Sequence, residues 1–317
     1  MAISDPALSP LDRRTAQEVI ERLRPGLILD AVTELPGSFS NSTTLVTARG
    51  DIDDLAKLVV RRYRCDPAIR AQRARSEFHA LTLLEGAAVP APPPLMLDEA
   101  GSVLSTPGIV TGYKPGRQTI APVDDPEWVR KLAHTLADIH AVRCEIPHEA
   151  LLDANSEALY FLKGGTVAGY MEEHPDGPTV WNVVREASTS LKKLPPVLIH
   201  LDYWPGNVLW EEKTITAVVD WEEAGYGDPA VDVGYARKDL FGAGLRQQAD
   251  EFLEAYEARA GCKVENLAFW ELAAAPRAMP DPGRGVRELR ELGRHSVSKE
   301  DLRRNHREFI DSAIRRL

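Results

Sequence analysis

The stretch "HLDYWPGNVLW" at 200–210, followed by "AVVDWEEAGYGDPAVDVG" at 217–234, constrains this chain more than any other. His200, Asp202 and Asn207 fall within eight residues, and Asp220 follows Asn207 by thirteen. Two strand-like runs, "PPVLIHLD" and "TITAVVDWE", flank the turn, so the acids stand where extended chain gives way to loop. Taken singly, Asp202 and Asp220 are ordinary capping or turn residues, a role short acids fill routinely. Taken together with Asn207, in this order, they supply a proton acceptor beside oxygen ligands.

Upstream, "RTAQEVIERLR" (14–24) has the apolar spacing of an amphipathic helix. "LPGSFSNSTTLVTARG" and "LAKLVVRRY" read as strands joined by a turn at "GDIDDL". A helix is predicted over 68–86, ended by Gly86 and a proline-rich run. Short strands at 94–98 and 103–112 follow, with "DEAGS" between them. After "TGYKPGR" the character changes. Residues 126–142 predict a helix with Pro126 near its first turn. Residues 145–190 are acidic and helical in pattern, and the chain from 229 onward is helical with a break at 280–285. The economical reading is α+β and two-lobed: residues 1–112 form a small β-rich lobe and residues 113–317 a larger helical one. The crevice between lobes is the natural ligand site.

With 44% apolar residues among 317, the chain has material for such a core. No run approaches the roughly 20 apolar residues that span a bilayer, so no membrane role is expected. The first twenty residues lack a basic segment leading into an apolar run. Cys65, Cys144 and Cys262 are odd in number and lack metal-ligand spacing. Both features fit a reduced, cytoplasmic setting. The 48 acids outnumber the 38 bases, which argues against a nucleic-acid partner.

The quoted motif region closely resembles the aminoglycoside phosphotransferase family, small-molecule kinases with a protein-kinase-like fold. A lone Asp-x-x-x-x-Asn is a weak signal. His-x-Asp, Asn five residues after the Asp, then strand–Asp–Trp and "GDP" is a specific one. The resemblance implies a kinase that transfers the γ-phosphate of ATP or GTP, with Mg²⁺, to a small-molecule hydroxyl. Phosphoryl transfer needs a group that orients the attacking hydroxyl and cations that neutralise phosphate oxygens. Asp202 would be the first; Asn207 and Asp220 would hold Mg²⁺, a hard cation that suits an amide oxygen and a carboxylate. His200 would brace the loop, and Asp232 resembles the family's buried acid that anchors it.

The family pairs a strand Lys with a helix Glu in its first lobe. Here Arg61 stands where the Lys would be and Glu77 lies sixteen residues on. Arg is a wide fork and not a simple replacement. Period-two alternation puts Lys57, Val59 and Arg61 on one face, so Lys57 is a second candidate, while Arg62 reads as a solvated edge charge. "PGSFSNSTTLV" corresponds to the phosphate-covering loop with a single glycine; Ser38, Ser40 and Asn41 would donate to phosphate oxygens. "IVTGYKPG" matches the hinge, where backbone from Thr111 to Tyr113 would read the purine edge. Trp204 and Trp210 read as packing residues.

For the acceptor, the resemblance implies an antibiotic-like alcohol such as an aminoglycoside or macrolide, bound between segment 145–190 and the C-terminal helices. That segment holds eight acids against Lys163 and Arg185, which suits a polycation. The tail, 283–317, carries ten bases and six acids, and "NLAFWELAAA" offers Phe269, Trp270 and Leu272 as an apolar wall. Two alternatives remain: a kinase of a non-antibiotic metabolite, and a nucleotide-binding pseudokinase-like module. A protein kinase is disfavoured, because only five residues separate Asp220 from Tyr226.

Overall fold

A computed structural model describes residues 8–35, 41–50, 55–123, 125–143 and 150–317. Helix α1 (Arg13–Leu23) begins on Asp12, whose carboxylate accepts the Thr15 amide at 2.8 Å. It buries Ala16, Val19 and Ile20 at helical spacing. Then come β1 (Ile28–Glu34), β2 (Asn41–Arg49), β3 (Leu55–Tyr63), α2 (Pro67–Leu84), β4 (Pro94–Asp98) and β5 (Gly108–Gly112). The strands form one antiparallel sheet in the order β1-β2-β3-β5-β4.

Alternation along β3 gives this sheet two faces. Leu58 and Val60 join Val46 and Val110 in a core under α1. Arg61 and Tyr63 point the other way, toward α2 (from which Glu77 contacts both) and the rest of the molecule. Arg62, expected as a solvated edge charge, falls on the α1 face and is only 5% exposed. It donates to the Ser9 carbonyl at 2.7 Å and the Ser42 hydroxyl at 3.3 Å. The alternation is as read; the chain segment leading into α1 covers that face.

The second lobe holds α3 (Trp128–His140), β6 (Leu152–Asp153), α4 (Ala154–Ala158), α5 (Gly169–Glu172), α6 (Gly177–Ala187), β7 (Val197–Ile199), β8 (Val208–Glu211), β9 (Thr214–Val218) and β10 (Gly225–Gly227). It continues with α7 (Ala230–Gly242), α8 (Arg246–Ala260), α9 (Leu267–Ala274), α10 (Val286–Glu291) and α11 (Lys299–Ile314). Ser298 and Asp301 close a capping box on α11. The fold is thus α+β and kinase-like, an antiparallel sheet lobe beside a helical one. The main core does not divide at position 112: Tyr63, Leu81 and Ile109 share one cluster with Trp128, Leu132 and Trp221. Among the described residues no helix is long and apolar enough to cross a membrane. Cys65 and Cys262 are free thiols, and Cys144 lies outside the described residues.

One further expectation is corrected. The strand expected at 103–112 begins at Gly108, because the Asp98 carboxylate gathers the Ser102, Val103 and Leu104 amides at 2.9, 2.8 and 2.7 Å and curls that chain into a turn. Pro126, expected near the first turn of this helix, directly precedes the α3 N-cap, Glu127. The strand-like runs read at "PPVLIHLD" and "TITAVVDWE" form β7 and β9; β7 pairs with β10, and β9 with β8.

Candidate active site

The turn after β7 is held from behind by one buried acid. Asp232, in the first turn of α7, has no exposed surface. Its two oxygens accept the His200 and Leu201 amides, each at 2.7 Å. His140 Nε2 lies 3.2 Å from Asp232 Oδ2, and its Nδ1 lies 2.7 Å from the Tyr256 hydroxyl. This grip holds Leu201 at φ 67°, a left-handed backbone that leucine rarely adopts. His200 bridges two loops: Nε2 lies 3.0 Å from the Val219 carbonyl, and Nδ1 accepts the Asp202 amide at 3.3 Å. Burial pushes the imidazole below its ordinary value, so it stays neutral, with Nε2–H donating to Val219.

Asn207 closes the turn. Its side-chain nitrogen donates to the Asp202 carbonyl at 2.9 Å and to Asp202 Oδ2 at 2.8 Å. The Val219 amide donates to the Asn207 carbonyl at 2.9 Å, which ties the turn to the chain entering Asp220. Gly206 leaves room for the Trp204 ring, from which a Cβ would stand 2.1 Å. Burial pushes the Asp202 carboxyl up to about 7, with Arg277 opposing and Glu223, Asp220 and Asp239 adding. Water screens part of that push, since 39% of the side chain is open.

Opposite lies a charged cluster shared by both lobes. Arg61 donates from Nε to Glu77 Oε2 at 3.0 Å and from Nη2 to Asp220 Oδ1. Burial works against its charge, but Asp220 and Glu77 outweigh it and the guanidinium stays protonated. The Tyr63 hydroxyl adds a 2.6 Å bond to Glu77. Asn41 donates to Glu222 Oε2 at 2.7 Å. Burial, then Asp220, pushes the Glu222 carboxyl up to about 8. Arg73 of α2 meets Glu223 Oε1 at 3.2 Å, and Arg277 holds the other oxygen of Glu223. Lys57 stands apart, exposed, with its ammonium 5.4 Å from the Tyr113 ring. Thr111 is buried in β5, and the Gly112 and Tyr113 amides already donate to the Pro93 and Lys57 carbonyls at 2.9 and 3.2 Å. Ser38 and Ser40 lie outside the described residues.

Residues 31–270 match the family described as "Phosphotransferase enzyme family". The chain belongs to that family. No curated protein sequence matches it. The fold of this phosphotransferase is similar to that of macrolide 2′-phosphotransferase MphH from Brachybacterium faecium, with TM-score 0.59 and 20% identity, covering 96% of this chain and 98% of that one. It is also similar to aminoglycoside phosphotransferase APH(4)-Ia, with TM-score 0.61 and 16% identity over 96% and 99% of the two chains. Spectinomycin phosphotransferase APH(9)-Ia, solved with ADP and spectinomycin, gives TM-score 0.59 and 12% identity over 96% and 98%.

In this phosphotransferase a cavity of about 330 Å³ opens beside the turn, lined by Trp204 and Pro205 and by Lys238, Arg277, Arg284 and Glu288. Trp204, expected as packing, is half-buried and faces this cavity; Trp210 is buried. None of the acids of segment 150–190 lines it. Asp153 caps α4, Glu157 pairs with Lys163 and Asp176 with Arg307 of α11. Glu145 and Glu149 lie outside the described residues. Phe269, Trp270 and Leu272 are buried in the core of the helical lobe. Phe269 and Trp270 also touch a separate cavity of about 750 Å³, beside Lys192 and Lys193, that no residue of the 200–207 turn lines.

The sequence reading missed His140, Tyr256, Tyr63, Arg73, Glu222, Glu223 and Arg277. Glu222 and Glu223 had a signal, since they directly follow "DW". Arg277 had none: it lies 75 residues after Asp202, in a segment without any motif.

Proposed function

We propose that the protein transfers the γ-phosphate of ATP or GTP to a hydroxyl of an antibiotic-like small molecule. The observation that carries this reading is one turn that holds Asp202 and Asn207 beside Asp220, with Arg61 and Glu77 facing them. Asp202 is the residue that touches the acceptor hydroxyl and aligns or takes its proton. Arg61, held by Glu77, contacts nucleotide phosphates, and Ser38, Ser40 and Asn41 cover them. Backbone from Thr111 to Tyr113 reads the purine edge. The nucleotide lies between lobe 1–112 and lobe 113–317, and His200 and Asp232 support the turn.

The donor set fits Mg²⁺. Asn207 spends its side-chain nitrogen on Asp202, so its oxygen remains for a cation. Asp220 adds a carboxylate, and among the described residues no cluster of three or more His, Cys, Asp or Glu competes as a metal site. One carboxylate, one amide oxygen, phosphates and water suit magnesium, which dehydrates reluctantly. When bound, the ion neutralises charge on the phosphate oxygens. Relatives of this fold were solved with ADP and spectinomycin and with AMP-PNP and hygromycin B, which supports the nucleotide and the class of acceptor.

The deciding experiment is phosphate transfer from ATP and GTP, with Mg²⁺, to a panel of aminoglycosides, macrolides and metabolite alcohols. Transfer to an antibiotic supports the reading, and transfer to a metabolite alone replaces the acceptor class. Nucleotide binding without transfer to any acceptor, unaffected by EDTA or Asp220→Ala in calorimetry, leaves a pseudokinase-like module instead.

A further inference from the structure

Arg277 sits in the 3₁₀ turn Ala275–Ala278 that follows α9. Its guanidinium stacks on the Tyr235 ring, 4.8 Å from the centroid. Nη1 lies 3.7 Å from Asp202 Oδ1 and Nη2 holds Glu223 Oε2. The other Asp202 oxygen accepts from Asn207 at 2.8 Å. The carboxylate is therefore flanked on both oxygens, by an amide of its own turn and by a cation from 75 residues away. Glu223 is gripped in the same way, with Arg277 on Oε2 and Arg73 on Oε1 at 3.2 Å.

The result is a chain of alternating charge, Arg73–Glu223–Arg277–Asp202. Its far end lies on α2, four residues before Glu77. Residues four apart share a helix face. The helix that positions Arg61 through Glu77 thus also reaches Asp202, through two ion pairs and a 3.7 Å approach.

We propose that Arg277 is a positioning residue for Asp202, and that Arg73 and Glu223 set its place by reference to α2. This rests on the reading of Asp202 as the group that meets the acceptor. The fork of Arg277 reaches Asp202 and Glu223 at once, which a single lysine ammonium cannot do with the same rigidity. One face of one helix then aligns both the nucleotide cation and the acceptor's carboxylate, so the two halves of the reaction share a ruler.

The test uses MgATP with water as acceptor, so that no acceptor need be known. Misplacing a reacting group by about 1 Å costs on the order of 10²-fold. Arg277→Met should lower kcat by about that factor, and Arg73→Met, two links away, by about tenfold. Neither should move the nucleotide KM by more than about twofold. The double variant should be no worse than Arg277→Met alone, because the chain is already cut. Arg73→Lys should restore kcat, since Glu223 needs only one donor there, while Arg277→Lys should not. Glu223→Gln, nearly isosteric, repeats the test if the methionine variants fail to fold. Multiplying kcat losses in the double variant, or losses confined to KM or thermal stability, overturn the proposal while Asp202→Asn still abolishes hydrolysis. Hydrolysis that persists in Asp202→Asn overturns the reading of Asp202 and this inference with it. Where the unaltered protein does not hydrolyse MgATP, the same variants are compared with the acceptor that the panel identifies, and the same outcomes decide.

Discussion

The two sides of the candidate site are built by different physics. The backbone of the 200–207 turn is held within its own lobe, by hydrogen bonds that Asp232 and His200 accept and that Asn207 donates. The facing cluster is wired between lobes by ion pairs and one amide bond: Arg61 to Asp220, Arg73 to Glu223, Asn41 to Glu222. On the proposed reading, a carboxylate that would meet a hydroxyl gains from being set before any ligand arrives. Charges that would face phosphates and a cation gain, on the same proposed reading, from partners they can exchange. The acids after β9 hold the sheet lobe in place through groups that a nucleotide would also engage.

The largest expected effect tests the fixed side. Asp202→Asn keeps size and reach but removes the proton acceptor. Turnover should fall by roughly 10²–10⁴, with nucleotide affinity preserved in calorimetry because Asn207 and Asp220 are untouched. Full activity in this variant would falsify the assignment of Asp202.

Next comes Asp232→Ala, which leaves two buried amides without acceptors. Each such orphan costs about 1–3 kcal/mol, so chemical denaturation should show a loss of at least about 2 kcal/mol. Turnover should fall as well, since Leu201 would relax from its left-handed backbone. A variant as stable as the parent would mean that other contacts hold the turn.

The wired side should respond in binding. Arg61→Ala removes the contact between Glu77 and Asp220 and should raise the nucleotide KM by about tenfold or more, the scale of a lost charged hydrogen bond. Lys57→Ala should change it little, because that ammonium is exposed over Tyr113. Equal effects in steady-state kinetics would move the phosphate contact to Lys57.

How much of this was legible follows from distance along the chain. Asp202, Asn207 and Asp220 lie within nineteen residues, and Arg61 and Glu77 are separated by one turn and part of a helix. Such sets announce themselves by spacing. Arg73 reaches Asp202 only through Glu223 and Arg277, and Arg277 comes from a segment 75 residues after Asp202, so no local pattern marks them. Arg62 failed differently: alternation placed its face, but what covers a face depends on where α1 packs. Similarly, the charge of segment 145–190 was countable, whereas the pairing of Asp176 with Arg307 on α11 was not.

The smallest expected effect separates the two sides by pH. His306 of α11 is 5% exposed and borders the 330 Å³ cavity. Its Nε2 donates to the Ala275 carbonyl at 3.0 Å, while its buried Nδ1 has no hydrogen-bond partner among the described residues. A proton on Nδ1 would be a buried donor with nowhere to go. Burial first, then His174 and Lys238, depress the imidazole from 6.5 to about 4. The unfolded chain takes up this proton below 6.5, but the folded one does not until about 4. Stability from this site is therefore complete above 6.5 and is lost as pH falls toward about 4. His174 and His200, depressed by burial too, add the same sign. The guanidinium ends of the ion pairs keep their charge throughout that window. His306→Gln keeps a donor for Ala275 and titrates in neither state, so its Tm should fall less steeply than the parent's on acidification. The gap between the two melting curves should narrow through the window, with first loss of amide protection in α11 rather than in the sheet lobe. Parallel curves would place the acid sensitivity among the carboxylates of the wired side instead.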